Sequence, residues 1–178
     1  MKTISLLITF FLLCSFSVAI SFYDQQFTTI EEASISMSSY QGKKVMIIVL
    51  PVIQTDDASA YLKSIDSLCT KYKASISMIG IPSIQDGYIA DSLESLKIWY
   101  RHNLSNLFVI AKAMYIKKGS PQQNSLFKWL TDKNENQHFN EDAEGPGQKF
   151  FIDGQGELYG VFSSQKKLSE ALISRMLQ

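Results

Sequence analysis

Residues 44–57 read Lys-Val-Met-Ile-Ile-Val-Leu-Pro-Val-Ile-Gln-Thr-Asp-Asp, and the fold turns on how this stretch is understood. The unbroken apolar run over 45–50 marks a strand buried on both faces, which needs helices above and below it. Pro51 breaks the run, and an amphipathic segment opens near Ala58. In an α/β protein such a junction, from the carboxyl end of a strand to the amino end of a helix, is where chemistry is usually placed. Free backbone N–H groups and the helix dipole favour an anion there. The residues on offer are Val52, Ile53, Gln54, Thr55, Asp56 and Asp57. None is a good nucleophile, and no Cys or His is close in sequence.

Downstream, residues 58–73 repeat apolar side chains at Tyr61 or Leu62, Ile65, Leu68, Cys69 and Tyr72, a 3.6-residue period that predicts a helix. Residues 75–81 form a second buried strand, stopped by Pro82, and a loop with Gln85, Asp86 and Gly87 follows. Asp91 is expected to cap a helix running through His102, with Leu93, Leu96, Trp99 and Tyr100 as its apolar face. A third strand is expected over 107–111 and a helix over 122–131 showing Leu126, Phe127 and Leu130 to the core. Residues 132–147, charged, amide-rich and glycine-bearing, read as the one long loop. The runs 149–153 and 157–162 flank Gly154, Gln155 and Gly156 as a hairpin, and 165–177 close the chain as an amphipathic helix. Upstream, 21–40 read as a short hairpin or irregular ribbon on the edge of the domain. Crossover handedness makes a parallel core with an added antiparallel hairpin the simplest assembly.

A chain of 178 residues fits one domain with one core. Its 17 basic and 17 acidic residues give a formal net charge of +0, so nothing in the balance suggests nucleic acid or an anionic membrane as partner. Residues 1–19 carry Lys2, an apolar stretch and the small pair Ser17 and Ala19, the pattern of a cleaved secretory signal; the apolar run is shorter than the roughly 20 residues that span a bilayer. The expected mature domain is therefore 20–178, exported to a periplasm or secreted, with no membrane attachment after cleavage. Cys14 leaves with the signal, and Cys69 remains alone. A lone thiol excludes both an intramolecular disulfide and a two-cysteine redox centre within the chain.

Four local runs, in this order, are similar to the glutathione peroxidase family, and together they cover nearly the whole mature chain. Tyr40-Gln41-Gly42-Lys43 precedes the first core strand. Gly80-Ile81-Pro82-Ser83-Ile84-Gln85-Asp86-Gly87 resembles that family's Gly-Phe-Pro-x-Asn-Gln-Phe-Gly. Leu126-Phe127-Lys128-Trp129-Leu130 resembles its Leu-Tyr-Lys-Trp-Leu helix, and Lys149-Phe150-Phe151-Ile152-Asp153 its Lys-Phe-Leu-Val-Asp hairpin. The resemblance implies a thioredoxin-like fold: a central mixed sheet with helices on both faces and a C-terminal β-hairpin. It also implies reduction of peroxides in response to oxidative stress, by a Cys or selenocysteine assisted by Gln, Trp and Asn. Position by position, the nucleophile's place falls at Gln54, or at Asp56 if counted back from the helix. Gln85 matches the family's Gln. The Trp and Asn fall near Gly145 and Pro146, and the proline expected before the third core strand aligns with Phe108.

A thiolate is the reactive form of cysteine, and neither Gln54 nor Asp56 can become one. The expected function is therefore binding or structure without ordinary peroxidase chemistry. The alternative is a residual thiol peroxidase or redox partner that uses Cys69 near Gln85, with glutathione or thioredoxin as reductant; otherwise no cofactor is expected. Cys69 lies about three turns into its helix and on its apolar stripe, where a small buried filler is the simpler reading. Trp99, Tyr100 and Trp129 read as core or core-edge residues. His102 and His138, even with Asp56 and Asp57, have no metal-ligand spacing, and no metal is expected. The loop over 132–147 is the expected contact surface for an unidentified protein partner.

Overall fold

A computed structural model describes residues 20–178; the expected signal over 1–19 lies outside them. The apolar run becomes strand β3 (Lys44–Leu50), preceded by a two-stranded ribbon, β1 (Gln26–Thr28) and β2 (Ser34–Ser36). After β3 come helix α1 (Asp56–Tyr72), β4 (Ile76–Pro82), α2 (Leu93–Asn103) and β5 (Val109–Ile110). Then follow α3 (Ser125–Thr131), α4 (Lys133–Asn136), β6 (Lys149–Ile152), β7 (Leu158–Phe162) and α5 (Glu170–Leu177). The five-stranded sheet has the order β5-β4-β3-β6-β7. β3, β4 and β5 run parallel, joined by α1 and α2, and β6 and β7 add the antiparallel hairpin.

Alternation along each strand divides the core in two. Met46, Ile48 and Leu50 of β3, with Ile76 and Met78 of β4, pack against α1, α2 and α5. Val45, Ile47 and Val49, with Ile79 and Ile81, pack on the other face against α3 and the residues around the ribbon, including Phe22, Phe27 and Met37. On α1 the buried residues are Leu62, Ile65, Leu68 and Cys69. Gly80 is where bulk is forbidden: a Cβ there would lie 2.5 Å from Leu50 Cδ1 and 2.7 Å from Phe108 Cε1.

The ribbon lies along the β5 edge. Ile30 N–H donates to the Ile110 carbonyl at 3.0 Å and Lys112 N–H to that of Thr28 at 2.8 Å. Lys112 pairs with Glu32 at 2.6 Å, and Arg101 Nε donates to Glu31 at 2.7 Å.

Several expected boundaries are corrected. β5 is two residues long, because Phe108 is held in a turn by its N–H bond to the Ser105 carbonyl, and the strand's outer side meets the ribbon only through an isolated bridge, Thr29 with Ala111. α2 starts at Leu93 behind a single 3-10 turn, and its cap residue is Ser92, which makes no side-chain capping bond, in place of Asp91. α3 starts at Ser125 because the Asn124 side chain accepts from Leu126 N–H, and α5 at Glu170 because Ser169 accepts from Leu172 N–H. The expected long loop contains α4, capped by Asp132, whose side chain accepts from Asn134 N–H.

Candidate functional site

The elbow between β3 and α1 is built by three segments that meet at the carboxyl end of the parallel strands. The Tyr100 hydroxyl donates to the Pro51 carbonyl at 2.7 Å, fixing the chain as it leaves β3. Thr55 then caps α1, accepting from Ala58 N–H at 3.1 Å, and Trp99 Nε1 donates to Ser59 Oγ at 2.9 Å, tying α2 to the first turn of α1. The second segment is the loop after β4, where Gly87 takes a left-handed φ of 96° beside Ile53. The third is the approach to β6, where Gly147 N–H donates to the Val49 carbonyl at 2.8 Å and Gly145 stands against Asp86.

At the place implied for the nucleophile, Gln54 is exposed, and its amide donates to Ser95 Oγ of α2 at 3.0 Å. Asp56 and Asp57 are exposed in the first turn of α1, where carboxylates favour the positive end of the helix dipole. Gln85 is nearby, but its carbonyl oxygen accepts from Ile116 N–H at 2.7 Å and Lys117 N–H at 3.1 Å, so it braces the segment after β5. Only its amide nitrogen is left to meet a ligand.

Cys69 is not among these residues. It is 13 residues beyond the first residue of α1, roughly 20 Å along the helix at the usual rise. It is 2% exposed in the core cluster with Leu62, Ile65 and Ile173. Burial pushes its thiol up to about 11, with the charge of Asp66 adding to the effect, so near neutrality it stays protonated.

Phe108 is buried behind Gly80 at the start of an outer strand. The strand bordering the elbow is β6, and the proline at its approach is Pro146, flanked by Gly145 and Gly147 in left-handed conformation. Phe108, expected in the place of a proline before the third core strand, is thus away from the elbow, and the proline that borders the elbow is Pro146. Trp99 is partly buried, while Tyr100 and Trp129 are buried. His102 and His138 are exposed. Among the described residues, no group of three His, Cys, Asp or Glu is placed to hold a metal ion.

The loop over 132–147 is pinned to the body. The Asn136 amide donates to the carbonyls of Trp129 at 2.7 Å and Phe139 at 3.0 Å, and its oxygen accepts from His138 N–H and Phe139 N–H. Lys117 Nζ donates to the Glu144 carbonyl at 2.8 Å. Exposed side chains remain at Asn140, Glu141 and Asp142.

Asp86 and three exposed isoleucines have no role in the sequence reading. Asp86 Oδ2 is buried without a hydrogen-bond partner, beside Gly145. Ile53, Ile89 and Ile98 are 64%, 65% and 69% exposed. The acid was visible as the charged residue of a tight loop after a buried strand. Ile53 was already among the residues on offer at the elbow, and Ile98 fell outside the apolar face read for its helix; that Ile89 stands exposed between them was not visible, because it depends on how the loop after β4 packs.

No protein-family model and no curated protein sequence matches the chain. Among solved structures it is similar to Trgpx in its apo form, at a TM-score of 0.63 and 18% identity, covering 89% of this chain and 94% of that one. It is similar to GPX1 of T. cruzi at a TM-score of 0.62 and 16% identity, covering 89% and 94% of the two chains. A secreted Mycobacterium tuberculosis disulfide oxidoreductase homologous to E. coli DsbE matches at 0.54 with 15% identity over 88% and 96%. At these identities the likeness establishes the fold, a thioredoxin-like α/β sandwich.

Proposed function

We propose that this chain is an exported, glutathione-peroxidase-like domain that works by binding a protein partner, in an oxidative-stress setting, without ordinary peroxidase chemistry. The observation that carries the reading is the occupant of the elbow. Where peroxide reduction needs an ionised sulfur held by hydrogen-bond donors, the chain presents a Gln54 amide bonded to Ser95. Its one cysteine among the described residues is in the core, with the thiol held protonated. The apolar stretch after Lys2 supports export. Among the described residues no helix is long and apolar enough to cross a membrane.

The test is a peroxide-consumption assay on the purified protein, with glutathione and with thioredoxin supplied in turn as reductant. The expected result is no acceleration over the protein-free rate with either. Turnover that disappears in Cys69→Ser would establish the thiol-peroxidase alternative instead. For the partner, affinity capture from the exported fraction should use Glu141→Lys as its loop control, since Asp142 Oδ1 accepts from Lys118 N–H and Ala143 N–H and holds the loop. Deleting 132–147 would also remove Asn136 and the buried Ala143, and so damage the fold.

A further inference from the structure

The exposed isoleucines and the acids of the elbow belong to one surface. Ile53 Cδ1 would be 3.7 Å from a Cβ on Gly87, and Ile89 follows Gly87 by two residues. Gln54 is bonded to Ser95, and Ile98 is one turn farther along α2 on the same side. Of the described side chains within segments 52–57 and 83–98, Asp56, Asp57, Asp86 and Glu94 are acidic and Lys97 is basic.

The opposite end of the sheet is basic. Lys43, Lys44, Lys73 and Arg175 line two adjoining hollows that share Gly42 and Lys44, with Asp153 as the acidic side chain among their walls. A chain with formal net charge +0 is thus electrically polarised along its strands. Asp86 adds a directional element, since it is a half-buried carboxylate beside Gly145 with its Oδ2 inside the fold. A partly desolvated carboxylate attracts a cationic or N–H-bearing ligand group more strongly than a fully solvated one.

Resting on the reading of this domain as a partner-binding one, we propose that the elbow is a docking surface for a polypeptide segment that alternates apolar side chains with Lys or Arg. The apolar side chains cover Ile53, Ile89 and Ile98. A cationic side chain or backbone N–H reaches Asp86, and the remaining bases face Asp56, Asp57 and Glu94. Burying apolar area supplies affinity, while complementary charge supplies orientation and association rate.

Fluorescence anisotropy on the purified full chain tests this with three labelled peptides of equal length: alternating Lys-Leu, alternating Glu-Leu and alternating Lys-Ser. The Lys-Leu peptide should bind, and both others should bind at least about tenfold more weakly, since each lacks one of the two complementarities. Raising salt should weaken Lys-Leu binding without abolishing it, because the apolar contact is not screened. Ile53→Ser, at an exposed position that leaves the core untouched, should weaken binding about tenfold, and Asp86→Asn should weaken Lys-Leu more than Lys-Ser is affected. Lys43→Glu with Lys73→Glu, at the far end, should leave it unchanged. Equal binding of all three peptides, or affinity indifferent to Ile53→Ser, overturns the proposal. So does sedimentation showing that the elbow is covered by a second copy released by Ile53→Ser. Failure here without peroxide turnover removes only the docking segment, whereas peroxide turnover removes the partner-binding reading beneath it.

Discussion

Cys69 and Gly80 show how single side chains decide what this fold can do. Cys69 is 2% exposed with its thiol pushed up to about 11, so a thiol-specific alkylating reagent should leave Cys69 unlabelled in the native protein near neutral pH and label it after denaturation. Mass spectrometry of the alkylated protein in both states reads this directly. Labelling under native conditions at a rate near that of a free thiol would remove the burial on which the non-enzymatic reading depends. Gly80 answers to shape alone. Gly80→Ala should cost about 1–3 kcal/mol in urea unfolding, because Leu50 and Phe108 close on the same point from two sides. Phe108→Leu in the same chain should recover part of that loss, a coupling a double-mutant cycle can measure.

At the scale of elements, the segment between α3 and β6 was the hardest to read. Its composition gave every sign of a loose loop, and no periodicity pointed to a helix in it. What orders it is one amide: Asn136 is 4% exposed and satisfies four backbone groups at once. Asn136→Ala should destabilise the protein by about 2–3 kcal/mol, the scale of several buried groups left unpaired, with hydrogen exchange rising first around 136–139.

Strand β6 holds the other buried polar group of consequence. Lys149 is 1% exposed, and its ammonium donates to the carbonyls of Ser163 and Lys166, fastening the turn into α5. Burial lowers its pKa from 10.5 to about 8, against the opposing pull of Glu144. Between these values the unfolded chain holds a proton that the folded chain has released, so this group's contribution to stability rises with pH across about 8 to 10.5. Below about 8 both states are protonated, and the cost of the buried charge is present in full. Urea midpoints should therefore move in favour of the native chain over Lys149→Met as pH is raised from 8 to 10. A difference that stays flat across that window would show that the ammonium keeps its proton in the fold.

For the molecule as a whole, the layer order was legible because it follows from patterns that need no tertiary knowledge. The apolar run over 45–50 had to be a central strand, and the spacing of Leu62, Ile65 and Cys69 had to be a helix lying on it. The missing thiol at the elbow was legible too, since a residue type can be read without coordinates. Helix starts at α3 and α5 were not, because Asn124 and Ser169 compete with helical backbone in ways settled by a single bond. Nor was the proline beside the elbow. Pro146 borders it because β6 and not β5 is the neighbour of β3, which is a fact of sheet order. That Ile53, Ile89 and Ile98 share one surface was invisible for the same kind of reason, since such a patch belongs to the assembled molecule.

The ribbon of β1 and β2 makes the first of the described residues indispensable in a way unconnected with the elbow. A protease that trimmed the chain past Ile30 would bare the backbone groups of Ile110 and Lys112 that the ribbon now occupies. A bare flank of that kind recruits strands from other molecules. Such a trimmed protein should therefore sediment as aggregates while its helical circular dichroism persists, so the leading ribbon serves as the stopper that keeps one molecule from templating the next.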